Sequence, residues 1–270
     1  MKLYKLAPLC GVLFLAVLSS SCAKLRARDQ LNKGVAAFRN AAFQPAIMHF
    51  KEAVRLDPTL LNARLYLATA YAQQYVPGGD SPDNTKIGEQ AIAAFEDVLR
   101  IDPNNPTAIA SIAQVYYNMK NFDKAKEYQE RRIKLEPNNP EPYYWVGSIN
   151  WSICYARAGQ VRKDLNLLAP KDPKDPNSLP PLPEKARKEL EEKNGPLVDE
   201  GLKALQKAIE LKPNDFDTMA YLNLMYRQKA EIDPDPASRE ADLKTADEWV
   251  QKALALKKAA GTATGGGMVQ

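Results

Sequence analysis

Histidine is nearly absent: His49 is the sole copy in 270 residues. A catalytic pair of histidines, or a metal site built on two of them, is therefore excluded. Cysteine is almost as scarce. Cys10, Cys22 and Cys154 are too few and too far apart for a disulfide framework or a zinc ribbon. No glycine-rich loop ends in Lys-Ser or Lys-Thr, and no dinucleotide fingerprint occurs, so phosphate-binding loops have no basis in the chain. A surplus of one charge is missing too: 37 Lys and Arg stand against 33 Asp and Glu, a formal +4. Nucleic-acid recognition needs clustered surplus cations and is not expected. No cofactor, metal or catalytic residue is expected either. What is present is an ordinary globular composition, 45% apolar and 26% charged, in a chain long enough for a sizeable core.

The longest apolar run is short. Lys2 and Lys5 precede residues 6–18, which are apolar apart from Pro8 and Gly11, and Ser19-Ser20-Ser21-Cys22 follow. No acidic residue comes before Asp29. This order of charge, apolar core and small residues predicts an export signal over residues 1–21. Thirteen residues fall short of the roughly 20 that span a bilayer as a helix. Leu18-Ser19-Ser20-Ser21-Cys22 resembles the processing signal of bacterial lipoproteins, although Leu18 stands four residues before the cysteine rather than the usual three. The resemblance implies a lipid on Cys22 and a periplasm-facing, membrane-anchored chain; the alternative is plain cleavage and a soluble periplasmic or secreted protein. Cys154 would then be a lone thiol beside Ile153 and Tyr155, expected as a small buried hydrophobe.

A period organises the rest. Arg55-Leu56-Asp57-Pro58, Arg100-Ile101-Asp102-Pro103, Lys134-Leu135-Glu136-Pro137 and Glu210-Leu211-Lys212-Pro213 share an ending. Their prolines lie 45, 34 and 76 residues apart, which is one period of 34, once with 11 residues added and once with 42. Before the prolines, Ala46, Phe50 and Ala53 recur as Ala91, Phe95 and Val98, as Gly201, Leu205 and Ala208, and as Ala246, Val250 and Ala253. Spacings of four and three put each trio on one helix face. An earlier helix in each unit repeats Leu67, Ala68 and Tyr71 as Ile112, Ala113 and Tyr116, with Tyr143, Val146 and Gly147 in comparable places and Gly34 at the small position of the first unit. Each unit therefore reads as helix, tight turn, helix.

These residues resemble the tetratricopeptide repeat, whose 34-residue unit has small residues at positions 8, 20 and 27, aromatics at 11 and 24 and proline at 32. The resemblance implies an all-α fold, a right-handed α-solenoid of about five helix-turn-helix units over residues 22–260: 27–60, 61–105, 106–139, 140–215 and 216–260. It implies further that first-helix positions 2, 5, 9, 12 and 13 line a concave wall that holds a peptide. Members that grip chaperone C-termini carry Lys and Asn there. Position 9 here reads Val35, Thr69, Gln114, Ser148 and Leu224, so that ligand class is not expected. The expected groove residues are Tyr117 and Trp151, both at position 12, with Tyr144, Gln114, Asn118 and Gln73.

Departures from the period carry the individuality. The 11 extra residues in units two and five predict extended hairpins, with loops at Pro77-Gly78-Gly79 and Pro234-Asp235-Pro236. The insertion of unit four, residues 169–196, opens with six prolines between 169 and 183, which predicts an extended segment that is exposed or caps the groove. Residues 184–193 should be helical and stop at Gly195-Pro196; residues 261–270 should be a disordered tail. His49 is expected at the surface or a boundary. The functional expectation is a non-enzymatic scaffold of the bacterial envelope that binds a protein or peptide partner. The rival is an accessory protein that binds glycan or a small ligand.

Overall fold

The computed structural model describes the backbone of residues 7–79, 81–170 and 179–265, and the side chains of 22–79, 81–170 and 179–258. Among the described residues there are ten helices and no strand. They are α1 (Ala7–Arg39), α2 (Phe43–Leu56), α3 (Leu61–Ala72), α4 (Pro82–Leu99), α5 (Pro106–Asn118), α6 (Phe122–Leu135), α7 (Pro140–Asp164), α8 (Glu184–Leu211), α9 (Phe216–Ile232) and α10 (Pro236–Gly265). The fold is all-α, built from helices taken two at a time. The chain divides into two compact units, 1–128 and 129–270.

The turns between repeats explain their own sequence. Pro103, Pro137 and Pro213 cannot continue the preceding helix. Two residues on, Asn105, Asn139 and Asp215 each turn a side-chain oxygen back to the next helix, accepting from Ala108 N at 3.0 Å, Glu141 N at 3.0 Å and Thr218 N at 3.2 Å. Pro106 and Pro140 then occupy the first helical turn, where no N–H is needed. One short run thus ends one helix and starts the next.

In the first unit, α1 pairs with α2 and α3 with α4, while α1, α3 and α5 neighbour one another in turn. Phe50 is fully buried and lies over Gly34, where a Cβ would sit 2.4 Å from its ring. Ala46, Ala53, Ala91, Phe95 and Val98 are buried, as the period predicts. The 11 extra residues of unit two are spent mostly on a loop. It is tied by Asn84, which accepts from Val76 N at 2.8 Å and donates to the carbonyls of Val76 and Gly79, each at 2.8 Å. His49 lies midway along α2 and is half-buried against α1, its Nδ1 2.8 Å from Gln30 Oε1.

In the second unit, α7 packs on α8 and α9, and α9 on α10. Gly147 lets α8 approach: a Cβ there would fall 2.3 Å from Leu205. Gly201 does the same for Met225 on α9, at 2.4 Å. Cys154 is buried in this core with Leu190, Val198, Leu205 and Leu222, and burial pushes its thiol up to about 11. The extra residues of unit five lengthen α9 and α10 themselves, with only 233–235 between them.

Two expectations are corrected. The helix predicted over 184–193 does not stop at Gly195-Pro196: α8 runs unbroken to Leu211 with Pro196 inside it. Proline removes one backbone donor and frees carbonyls of the preceding turn. Here α7 braces that turn. Arg157 donates through Nη1 to Lys193 O at 2.9 Å, and to Asn194 Oδ1 at 2.7 Å, while Asn194 Nδ2 donates to Cys154 O at 3.3 Å. The tail predicted to be disordered from 261 begins inside α10, which reaches Gly265; residues 266–270 lie outside the described ones. The expected signal over 1–21 also lies outside the described side chains, its backbone from Ala7 being continuous with α1. Among the described residues no helix is long and apolar enough to cross a membrane.

Candidate functional site

The residues expected to line a groove fall in both units. In the first, Gln114 and Asn118 occupy successive turns of α5, and Gln114 Nε2 donates to Asn118 Oδ1 at 3.1 Å. Tyr117 stands between them, half-buried, its ring edge-on to Phe122 at 5.7 Å. Gln73 is exposed at the C-terminal cap of α3. The amides thus partly satisfy each other while keeping further donor and acceptor capacity.

The second unit carries a denser arrangement on α7 and α9. Tyr144 meets Tyr221 at 5.3 Å and Trp145 at 5.4 Å, both edge to face. Tyr221 in turn meets Trp151 at 5.5 Å, again edge to face, and Trp151 stacks on Tyr155 at 5.1 Å. The order Tyr144, Tyr221, Trp151, Tyr155 is a ladder of rings along α7, held in the geometries that aromatic quadrupoles favour. Trp151 is half-buried. One side packs on the core of this unit together with Leu182 of the insertion; the other is left to the surface. Tyr155 is 59% exposed and crowns the ladder. It was not singled out from sequence because it sits one turn past the last groove position of the repeat. Its spacing of four from Trp151 is the signal that could have found it.

Beyond Tyr155 the surface opens into a cavity of about 540 Å³. Its walls come from the C-terminal half of α7, from the coil around Pro180, and from α9 and α10. An ion pair braces the wall: Arg162 Nε donates to Glu231 Oε1 at 2.6 Å, with both side chains largely buried. Arg162 also donates through Nη1 to Pro180 O at 2.8 Å, which fastens the proline-rich segment to α7. Arg187 does the same for α9, donating to Ile232 O at 2.9 Å. The insertion is therefore a structural wall of the second unit at its described end, next to Trp151 rather than away from it.

The match to known proteins follows the repeat. Residues 88–145 match the tetratricopeptide repeat model. That segment is tetratricopeptide-repeat sequence. The repeat protein is 28% identical over 151 residues to the Hsp70-Hsp90 organizing protein of Triticum aestivum, covering 56% of this chain and 24% of that one. It is 29% identical over 104 residues to the human mitochondrial import receptor subunit TOM70, covering 38% and 16%. It thus spans about a quarter or less of these relatives. Among solved structures it is similar to MamA 41-end from Desulfovibrio magneticus RS-1, with TM-score 0.56, 18% identity and coverage of 87% and 96%. It is similar also to YrrB, described as a TPR protein with an unusual peptide-binding site, with TM-score 0.51, 16% identity and coverage of 85% and 90%. These likenesses establish the tetratricopeptide fold of the chain.

Proposed function

We propose that the repeat protein is a non-enzymatic scaffold that holds a segment of a partner polypeptide on its first-helix faces, and that it does so in a bacterial envelope, tethered by lipid on Cys22. The observation that carries the reading is the aromatic ladder Tyr144, Tyr221, Trp151 and Tyr155. Rings that are already packed on one side lose little side-chain entropy when a ligand covers the other, and each offers a large apolar area with a polar edge. Gln114, Asn118 and Tyr117 offer the same pairing of ring and amide in the first unit, the amides suited to a ligand backbone. YrrB is named for a peptide-binding site, which fits this reading. We do not carry the likeness to Hsp70-Hsp90 organizing protein over to chaperone C-termini, because neither Lys nor Asn stands at position 9 of any unit. The envelope setting rests on the leading lysines, the short apolar run and the small residues before Cys22.

Site-directed photo-crosslinking in the native envelope tests the scaffold. A crosslinker at Tyr155 or Tyr117 should capture the same polypeptide, while one at Met48, exposed on α2, should not. Tyr155→Ala should weaken capture by about tenfold or more with an unchanged melting temperature. Equal capture at all three positions would remove the first-helix faces from the site. Retention on isolated cell-wall glycan with no polypeptide present would favour the glycan-binding accessory role instead.

A further inference from the structure

The cavity beyond Tyr155 shares Trp151 and Tyr155 with the ladder, but the rest of its lining is not used by the scaffold reading, and its chemistry is specific. We propose that it is a binding site for a small amphiphilic organic anion: an aromatic or branched aliphatic carboxylate whose apolar body lies against Trp151 and Leu224 and whose charge meets Arg239. A volume of about 540 Å³ is within the range of pockets that enclose small ligands. Leu179, Leu182 and Leu243 add to its apolar lining.

The charges do not balance inside it. Three guanidinium groups line the cavity, those of Arg162, Arg227 and Arg239, against one carboxylate, Glu231. Glu231 is taken by Arg162 at 2.6 Å. Arg227 is neutralised from outside the cavity by Asp247, also at 2.6 Å. Arg239 is left over. Its Nη2 donates to the Asp233 carbonyl at 2.9 Å, its Nε is buried without a hydrogen-bond partner, and among the described residues no carboxylate lies within ion-pair distance of it. Arg239 is half-buried, so part of its guanidinium meets the cavity with no fixed acidic partner, and an anion there would complete it. A planar carboxylate matches the geometry of a guanidinium fork, and the mostly apolar lining suits an anion carried on an apolar body.

Gly159 is the second, independent pointer. It lies inside α7, where glycine weakens a helix, yet a Cβ built on it would meet no atom within 4 Å. Unlike Gly147 and Gly201, it is not required by a neighbouring helix. It lines the cavity, so the room it leaves is room for a ligand.

Isothermal titration of the full chain with 2-naphthylacetate and its neutral isostere 2-naphthylacetamide tests the site. The acid should bind at least about tenfold more tightly than the amide. Arg239→Gln should reduce that ratio to about twofold or less and leave amide binding as it was, whereas Arg239→Lys should keep part of the preference. Gly159→Leu places a side chain in the empty space and should abolish binding of both probes without lowering the melting temperature. If Arg239→Gln fails to fold, Arg239→Lys and Gly159→Leu decide alone. Equal affinity of acid and amide in the unaltered chain, no saturable binding of the acid, or acid binding that survives Gly159→Leu would each overturn the proposal. Capture of the partner polypeptide by Gly159→Leu should persist; a chain that captures its partner and binds neither probe loses the cavity and keeps the scaffold.

Discussion

Arg162 shows how much one residue organises in the second unit. It ties α7 to α9 through Glu231 and to the insertion through Pro180 O. Removing the carboxylate should leave a buried cation with carbonyl partners only. Glu231→Ala is therefore expected to cost about 3 kcal/mol, at the low end for breaking a buried pair because those carbonyls remain. Chemical denaturation with an unchanged m-value would measure it; a loss below about 1 kcal/mol would mean the pair is effectively solvated. Glu141 is a contrasting case. Its hydrogen bond from the buried Arg132, at 2.8 Å, holds its carboxyl below the usual range, although Glu141 itself is more than half exposed. A lowered folded value means that the stabilisation is present above the ordinary value of about 4.5 and is lost as pH falls through the folded one. Glu141→Gln should thus lower stability at pH 7 by under about 1 kcal/mol, and the difference from the unaltered chain should shrink in acid. A difference that grew below pH 4.5 would reverse the sign of the argument.

At the scale of elements, the helix faces were readable and the helix ends less so. Ala46, Phe50 and Ala53 and their counterparts repeat because second helices must fit between neighbours, and the structure buries them. Gly201, Leu205 and Ala208 show the same face in a helix twice the usual length of the family, because the lengthening is all on its N-terminal side. Pro196 misled because a proline announces the bond it removes, whereas the brace on the adjoining turn, at Lys193 O, comes from Arg157, 39 positions earlier in the chain. The ladder was half-legible for a similar reason. Tyr144 and Trp151 sit at repeat positions and Tyr155 lies one turn past Trp151 on α7, but Tyr221 joins them from α9, through packing that the repeat does not encode. Arg239 gave no signal, since its surroundings are made by the lengthened helices of unit five and by the insertion of unit four. Ala125 tests the faces that were read. It is fully buried on α6. Ala125→Leu should overpack its contact at a cost of about 1–3 kcal/mol. Because each repeat leans on the next, hydrogen exchange should accelerate in α4 and α5 as well. An unchanged thermal midpoint would show that the α6 face tolerates the added volume.

At the scale of the whole molecule, the proposed tether is tested at Cys22, exposed on α1. A lipid there would hold the chain by burying methylenes at about 0.8 kcal/mol each, an attraction that salt does not screen. The protein should therefore remain with membranes through high-salt washing, and Cys22→Ser should release it. Unaltered protein recovered free in the soluble fraction would reject the tether. The formal charge of +4 is too small to hold the chain to a surface by itself. Such processing also has a consequence for the second unit. With Cys10 removed and Cys22 capped, Cys154 would be the sole thiol, sealed among Leu190, Val198 and Leu205. Alkylation needs an accessible thiolate, so it would proceed only when α7 and α8 part. The thiol is thus a built-in clock: its labelling rate at fixed pH reads how often the second unit opens, and Glu231→Ala should make that clock run faster with no dye or tag added to the chain.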